Sequence, residues 1–181
     1  MEGMGYPQPP YKALFSTGKN DMDRIDVQYV DAGGRFFTYQ PGMSFFDMGV
    51  SLDMIRGGRL DITVLGAFQV SEKGDLANWA LPGDPSLAIG GSMDLAFGAK
   101  RVIVAMEHVT KEKEPRILNQ CTYTLTAEAC VDLICTDIAV IDVTSEGLIL
   151  REVAPGWTPK DVQALTEPKL ITADDLKDIE L

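Results

Sequence analysis

Along the chain, apolar residues fall into dense runs separated by Gly, Pro and charged punctuation, and the spacing within each run separates strands from helices. Residues 1–34 are rich in Gly, Pro and Asp and lack periodicity, which predicts an irregular N-terminal segment ahead of a domain over 35–181. RFFTYQ, from Arg35 to Gln40, reads as a short strand ended by the Pro41-Gly42 turn. Ser44 and Asp47 then have the spacing of a capping box, predicting a helix that runs to Arg56 and stops at Gly57-Gly58. Its residues are apolar on nearly every side, so it is expected to be largely buried.

LDITVLGAFQV, Leu60 to Val70, is dense enough in β-branched residues to predict one strand covered on both faces. Glu72-Lys73-Gly74-Asp75 is a turn, LANWAL resumes extended structure, and Pro82 to Pro85 breaks the chain again. A short helix is expected over Ser92 to Phe97 and a buried strand over Arg101 to Met106. Glu107 to Gln120 reads as a solvated connection. VDLICTDIAVIDV and GLILREV, joined at Ser145-Glu146-Gly147, predict a hairpin, and Thr158-Pro159 opens a helix in the favoured order of cap and proline. The acidic tail ADDLKDIEL is read as a short helix or a frayed end. Together these give one α/β domain with an open, mixed sheet.

Composition narrows the function. Of 181 residues, 45% are hydrophobic and 24% charged, enough for a single core, and the net charge of −11 disfavours nucleic acid or an anionic membrane as partner. No run approaches the roughly 20 apolar residues of a membrane span and no secretory start is visible, so the cytoplasm is the expected location. The three cysteines, Cys121, Cys130 and Cys135, form no C-x-x-C pair, and the last two sit in an apolar run where inert thiols are expected. With one histidine, His108, and no G-x-S-x-G elbow, neither a Ser-His-Asp triad nor a zinc site is suggested, and no metal is expected.

Three pieces remain as candidates. Gly90-Gly91-Ser92 opens the short helix, where backbone N–H groups can hold a phosphate or an oxyanion; equally, it is a tight turn with Ser92 as cap and Asp94 favoured by the dipole. Glu107-His108 at a strand exit offers a carboxylate and an imidazole for acid and base work, or simply a loop start with one exposed side chain. Gln69, Asn78 and Trp79 flank the Lys73-Gly74 turn, placed to read a substrate's carbonyls or to satisfy backbone groups.

Three longer stretches carry a resemblance. GGRLDITVLGAFQVSEKGDLANW (Gly57 to Trp79), GGSMDLAFGAKRVIVAMEH (Gly90 to His108) and CTYTLTAEACVDLICTDIAVIDVTSEGL (Cys121 to Leu148) resemble the B subunit of the family I 3-oxoacid coenzyme A-transferases. CTYTLTAEAC is closest to the 3-oxoadipate branch, with the succinyl-CoA:acetoacetate branch near it. The resemblance implies a sheet of the CoA-transferase type and a partner, the homologous A subunit, in an A2B2 hetero-oligomer. It also implies a coenzyme A thioester as substrate, with no permanently bound cofactor. CoA would pass from succinyl-CoA to 3-oxoadipate or acetoacetate through an enzyme-glutamyl-CoA thioester. Gly90, Gly91 and Ser92 match the glycine turn that lies against the thioester.

The chain departs from that pattern in two places. The family's nucleophilic glutamate lies in a Ser-Glu-Asn-Gly segment before a Gly-x-Gly turn; Gly3-Met4-Gly5 matches the turn, which puts the glutamate upstream of Met1. Glu2 is the only nearby carboxylate and so a weak candidate for the nucleophile, at a position that is apolar in the family. The family's Asn-Ala-Gly-Lys, whose lysine lies near CoA, is here Asp31-Ala32-Gly33-Gly34-Arg35, with Arg35 keeping the charge but not the ammonium geometry. Three readings of the start are open: an internal methionine taken as the first, a truncated chain, or a non-catalytic partner that binds CoA or supports the A subunit.

Overall fold

A computed structural model of the chain describes residues 44, 46–83 and 89–180. The expected strand at Arg35 to Gln40, together with Glu2, Gly3-Met4-Gly5 and Arg35, lies outside the described residues. The chain divides into two compact units, Met1–Gly57 and Gly58–Leu181.

In the first unit, helix α1 spans Met48–Arg56. Its cap is Asp47, not Ser44: the Asp47 carboxylate accepts from the Val50 N–H at 2.9 Å. A carboxylate at the cap satisfies an orphan amide and also meets the positive end of the helix dipole. Gly58, at φ +67°, takes the left-handed backbone that ends the helix, as the glycine pair predicts. The helix is less covered than expected. Ser51 and Ile55, one turn apart, are buried, while Met48 and Val50 are exposed.

The second unit is built on a six-stranded sheet ordered β1-β4-β6-β7-β8-β9. β1 (Leu60–Leu65), β4 (Ala99–Ala105) and β6 (Leu133–Cys135) are parallel neighbours. β7 (Ala139–Thr144) runs antiparallel to both β6 and β8 (Gly147–Val153), and β9 (Leu170–Asp178) closes the edge parallel to β8. One buried row crosses five strands in register: Leu65, Val104, Ile134, Ile141 and Leu150. Full burial of each such side chain contributes about 1.5–3 kcal/mol, so this row is a large part of what holds the sheet. The residues between them face the other side, where Ile62 and Val64 of β1 remain 52% and 61% exposed.

A smaller sheet, β3-β2-β5, comprises β2 (Gln69–Ser71), β3 (Leu76–Ala77) and β5 (Ile117–Leu118). Helix α2 (Ser92–Gly98) packs on β1 and β4, and α3 (Pro159–Ala164) packs on β8. Thr158 and Asp161 form the reciprocal capping box of α3.

Four more expectations change. Leu60 to Val70 is not one strand covered on both faces: the chain leaves the large sheet at Gly66 and enters the small one at Gln69, so β1 is buried on one side only. Val131 to Val143 is likewise two strands, divided at Thr136 to Ile138. The stretch 107–120 is not wholly solvated, because it contains β5, with Ile117 fully buried. The acidic tail is neither helix nor frayed end but strand β9, whose charged side chains decorate an edge while its backbone pairs with β8.

Candidate functional site

Parallel strands leave their carboxyl ends as the natural place for a ligand, because the loops that diverge there open a crevice. A cavity of about 430 Å³ lies at the carboxyl ends of β1 and β4, lined by Gly66, Ala67, Phe68, Asn78, Ala105, Met106 and Arg116. That size falls in the roughly 300–1,000 Å³ range of small-ligand sites. Its construction follows from the two sheets: Gly66 to Phe68 is the passage between them, fixed where the Phe68 N–H donates to Ala77 O at 2.9 Å. Met106 is held by its N–H donating to Cys135 O at 3.1 Å, and Arg116 by backbone bonds to Val70 and His108.

Two polar side chains break the apolar lining. Asn78 Oδ1 accepts from the Thr126 hydroxyl at 2.6 Å, which engages the acceptor end of the amide and leaves its NH₂ to donate. The Arg116 side chain, 22% exposed, is the one charged group on the cavity wall among the described residues. Its ion-pair partner there is Glu107, at 3.5 Å and 70% exposed.

The expected site residues therefore separate. Asn78 lines the cavity, and Glu107 touches it only through Arg116. Gln69 does not line it: its Oε1 accepts from the Thr122 and Tyr123 N–H groups at 2.8 and 3.1 Å, and its Nε2 donates to Thr122 Oγ1 at 2.9 Å. Trp79 spends its indole N–H on Leu125 O at 3.2 Å.

Gly90-Gly91-Ser92 opens α2, which ends one residue before β4 begins. A helix that returns the chain between parallel strands runs against them, so this turn lies toward their carboxyl ends. Gly90 has φ +54° with open space where a Cβ would stand, so backbone shape rather than crowding calls for glycine. Ser92 is not the cap: Gly91 occupies that position, without a side-chain capping bond, and the Ser92 N–H closes the turn onto Ile89 O at 3.3 Å.

His108 is fully buried, with Nδ1 3.0 Å from Thr136 Oγ1 and Nε2 2.8 Å from Thr166 Oγ1. The Thr166 hydroxyl also donates to Val162 O at 2.8 Å and the Thr136 hydroxyl to Ala139 O at 3.1 Å, so both partners tie the ring to nearby backbone carbonyls. Burial pushes the imidazole pKa down to about 4, against a smaller upward pull from Asp137. A neutral, doubly bonded ring is a structural brace between loops. Burial also pushes the Cys121 and Cys130 thiols up to about 12 and about 11, and all three cysteines are free.

Among the described residues, no group of His, Cys, Asp and Glu is arranged to hold a metal, and no helix is long and apolar enough to cross a membrane. Arg116 escaped the sequence reading because it sits in a stretch taken as solvated; its one signal was a cation immediately before the short apolar Ile117-Leu118 pair.

Comparison with known proteins places these residues in a family. The coenzyme A transferase profile matches residues 21–165. The chain is 48% identical over 170 residues to the B subunit of the 3-oxoadipate CoA-transferase of Pseudomonas putida, covering 93% of this chain and 74% of that protein. It is 46% identical over 157 residues to the mouse mitochondrial succinyl-CoA:3-ketoacid coenzyme A transferase 2B, covering 86% of this chain but 30% of the mouse protein. Among solved structures, the acyl-CoA transferase YdiF of Escherichia coli O157:H7 superposes with a TM-score of 0.69 at 19% identity, covering 83% of this chain and 33% of that one.

Proposed function

The chain belongs to the coenzyme A transferase family, and from that premise we propose that it is the B subunit of a 3-oxoacid CoA-transferase, moving CoA from succinyl-CoA to 3-oxoadipate or acetoacetate. The observation that carries this reading is the likeness, along nearly the whole chain, to the B subunit of the Pseudomonas putida 3-oxoadipate enzyme. The cavity at the carboxyl ends of β1 and β4 agrees with it: a mostly apolar lining with two polar side chains can receive an acyl chain and orient it.

In the proposed reaction, a glutamate carboxylate attacks the thioester carbonyl of succinyl-CoA and expels the CoA thiolate, forming a mixed anhydride. The thiolate then attacks the glutamyl carbonyl, which releases succinate and leaves an enzyme-CoA thioester. The 3-oxo acid's carboxylate attacks that thioester in turn, and the released thiolate attacks the new anhydride at the acyl carbonyl. The products are 3-oxoacyl-CoA and the free glutamate.

Each tetrahedral step develops an oxyanion, which one preorganised N–H donor stabilises by about 3–4 kcal/mol. We assign that task to the Gly90-Gly91-Ser92 turn, with Arg35 toward the CoA. Of the remaining assignments, Asn78 and Glu107 belong on the acyl side, the latter through Arg116. Gln69 is assigned a supporting role and Glu2 none in the chemistry. The proposed partner is the homologous A subunit, in an A2B2 assembly in the cytoplasm, with the coenzyme A thioester as substrate.

The test is to purify the chain with its partner from its native source and assay CoA transfer from succinyl-CoA to each acid. Borohydride added with acyl-CoA should trap a glutamyl thioester that mass spectrometry can locate. Transfer to either acid is expected; a complex that transfers CoA to neither would overturn the reading.

A further inference from the structure

The cavity holds one guanidinium in an otherwise apolar wall, and that pairing says something about the acyl group that fits. Gly66, Ala67, Phe68, Ala105 and Met106 can receive a hydrocarbon chain, but Arg116 carries a fork of donors that a hydrocarbon terminus leaves unpaired. Among the described residues the guanidinium makes no hydrogen bond, and its ion pair with Glu107 is long and reaches a carboxylate that is mostly in water. Such an exposed pair is worth little, so it offers little competition to an incoming carboxylate. Asn78 adds a second donor whose direction is set, since Thr126 holds its Oδ1. The chain's net charge of −11 repels anions in general, which makes a local cation the feature that admits one.

We propose that Arg116, helped by the Asn78 amide, receives the distal carboxylate of the acyl chain, and so selects dicarboxylic acyl groups over methyl-terminated ones. The inference rests on the CoA-transfer reading and sharpens it, because it separates the succinyl and 3-oxoadipyl groups from the acetoacetyl group by a named contact. An Arg116 that merely ties the start of β5 to the exit of β4 through Glu107 would have no such preference.

The experiment gives each acyl-CoA alone to the purified complex and follows enzyme-CoA thioester formation by borohydride inactivation. In Arg116→Gln the second-order rate constant with succinyl-CoA should fall roughly 10- to 100-fold, as expected for a lost charge-assisted hydrogen bond, while that with acetoacetyl-CoA changes little. Arg116→Lys should lie between. Asn78→Asp keeps an acceptor for Thr126 but sets a negative charge against the incoming carboxylate, so it should shift the same ratio in the same direction without depending on Arg116 replacement. A succinyl-to-acetoacetyl ratio unchanged in these variants, whether both rates fall together or neither does, overturns the inference alone. A wild-type complex that forms no enzyme-CoA thioester with either acyl-CoA overturns the transfer reading and this inference with it.

Discussion

Asn78 and Thr126 are joined twice: the Asn78 backbone N–H donates to Thr126 Oγ1 at 3.2 Å, and the Thr126 hydroxyl donates to Asn78 Oδ1 at 2.6 Å. One hydroxyl thus sets both the path of the chain after β3 and the direction of an amide on the cavity wall. Thr126→Val keeps the shape and removes the hydroxyl. Stability should drop by about 1–2 kcal/mol, the cost of leaving those groups unpaired. With the amide released, KM for succinyl-CoA should rise more than kcat falls, and Thr126→Ser should restore both, as urea unfolding and steady-state kinetics would register.

His108 makes folding depend on pH. Its folded-state pKa of about 4 lies below the ordinary 6.5, so between these values the unfolded chain binds more protons than the folded one. The contribution is fully present above pH 6.5 and is lost as pH falls toward 4, amounting to about 3 kcal/mol across that window. Urea midpoints taken from pH 7 down to pH 4.5 should fall more steeply for the wild type than for His108→Gln. Parallel slopes would show that the ring does not titrate on unfolding.

The parts of this fold that were legible in the sequence are those whose determinants are local. The β7–β8 hairpin follows from Ser145-Glu146-Gly147, where Gly147 takes φ +122°, and the start of α3 follows from Thr158-Pro159, a cap and then a proline in the first turn. Apolar density, by contrast, does not encode where a chain changes sheets, so β1 and β2 read as one strand. β9 is held by its ladder with β8, and an acidic segment reads as a strand only once that partner is in place. The same holds for the site. The hydrogen-bond partners of His108 lie 28 and 58 residues away, and Arg116 meets Asn78 only because β5 and β3 both flank β2.

Gly74 should tolerate no side chain. It sits at φ +82°, and a Cβ there would stand 2.8 Å from Val131 O and 3.2 Å from Val143 Cγ1. The carbonyl cannot retreat cheaply, since the Val131 and Cys130 N–H groups both donate to Gly74 O and anchor the two segments together. Gly74→Ala therefore adds backbone strain to a backbone clash and should cost more than about 2 kcal/mol. Gly58→Ala, where φ is also positive but nothing lies within 4 Å, should cost less. Thermal melts of the two variants check the order.

Gln69 offers the sharpest separation between a substrate contact and a brace. Its side chain is buried and satisfies two backbone N–H groups and one hydroxyl of the Thr122-Tyr123 segment, a neighbour far away in sequence. Gln69→Leu keeps the bulk but leaves both N–H groups without their acceptor, at about 1–3 kcal/mol for each group that water does not reach. The variant should lose stability in urea by an amount on that scale. Any complex that still assembles should keep a near-normal KM for acyl-CoA, because the residue does not line the cavity. A residue that read the substrate would give the opposite pair of results, an unchanged unfolding midpoint with a raised KM, and that outcome would return Gln69 to the acyl site.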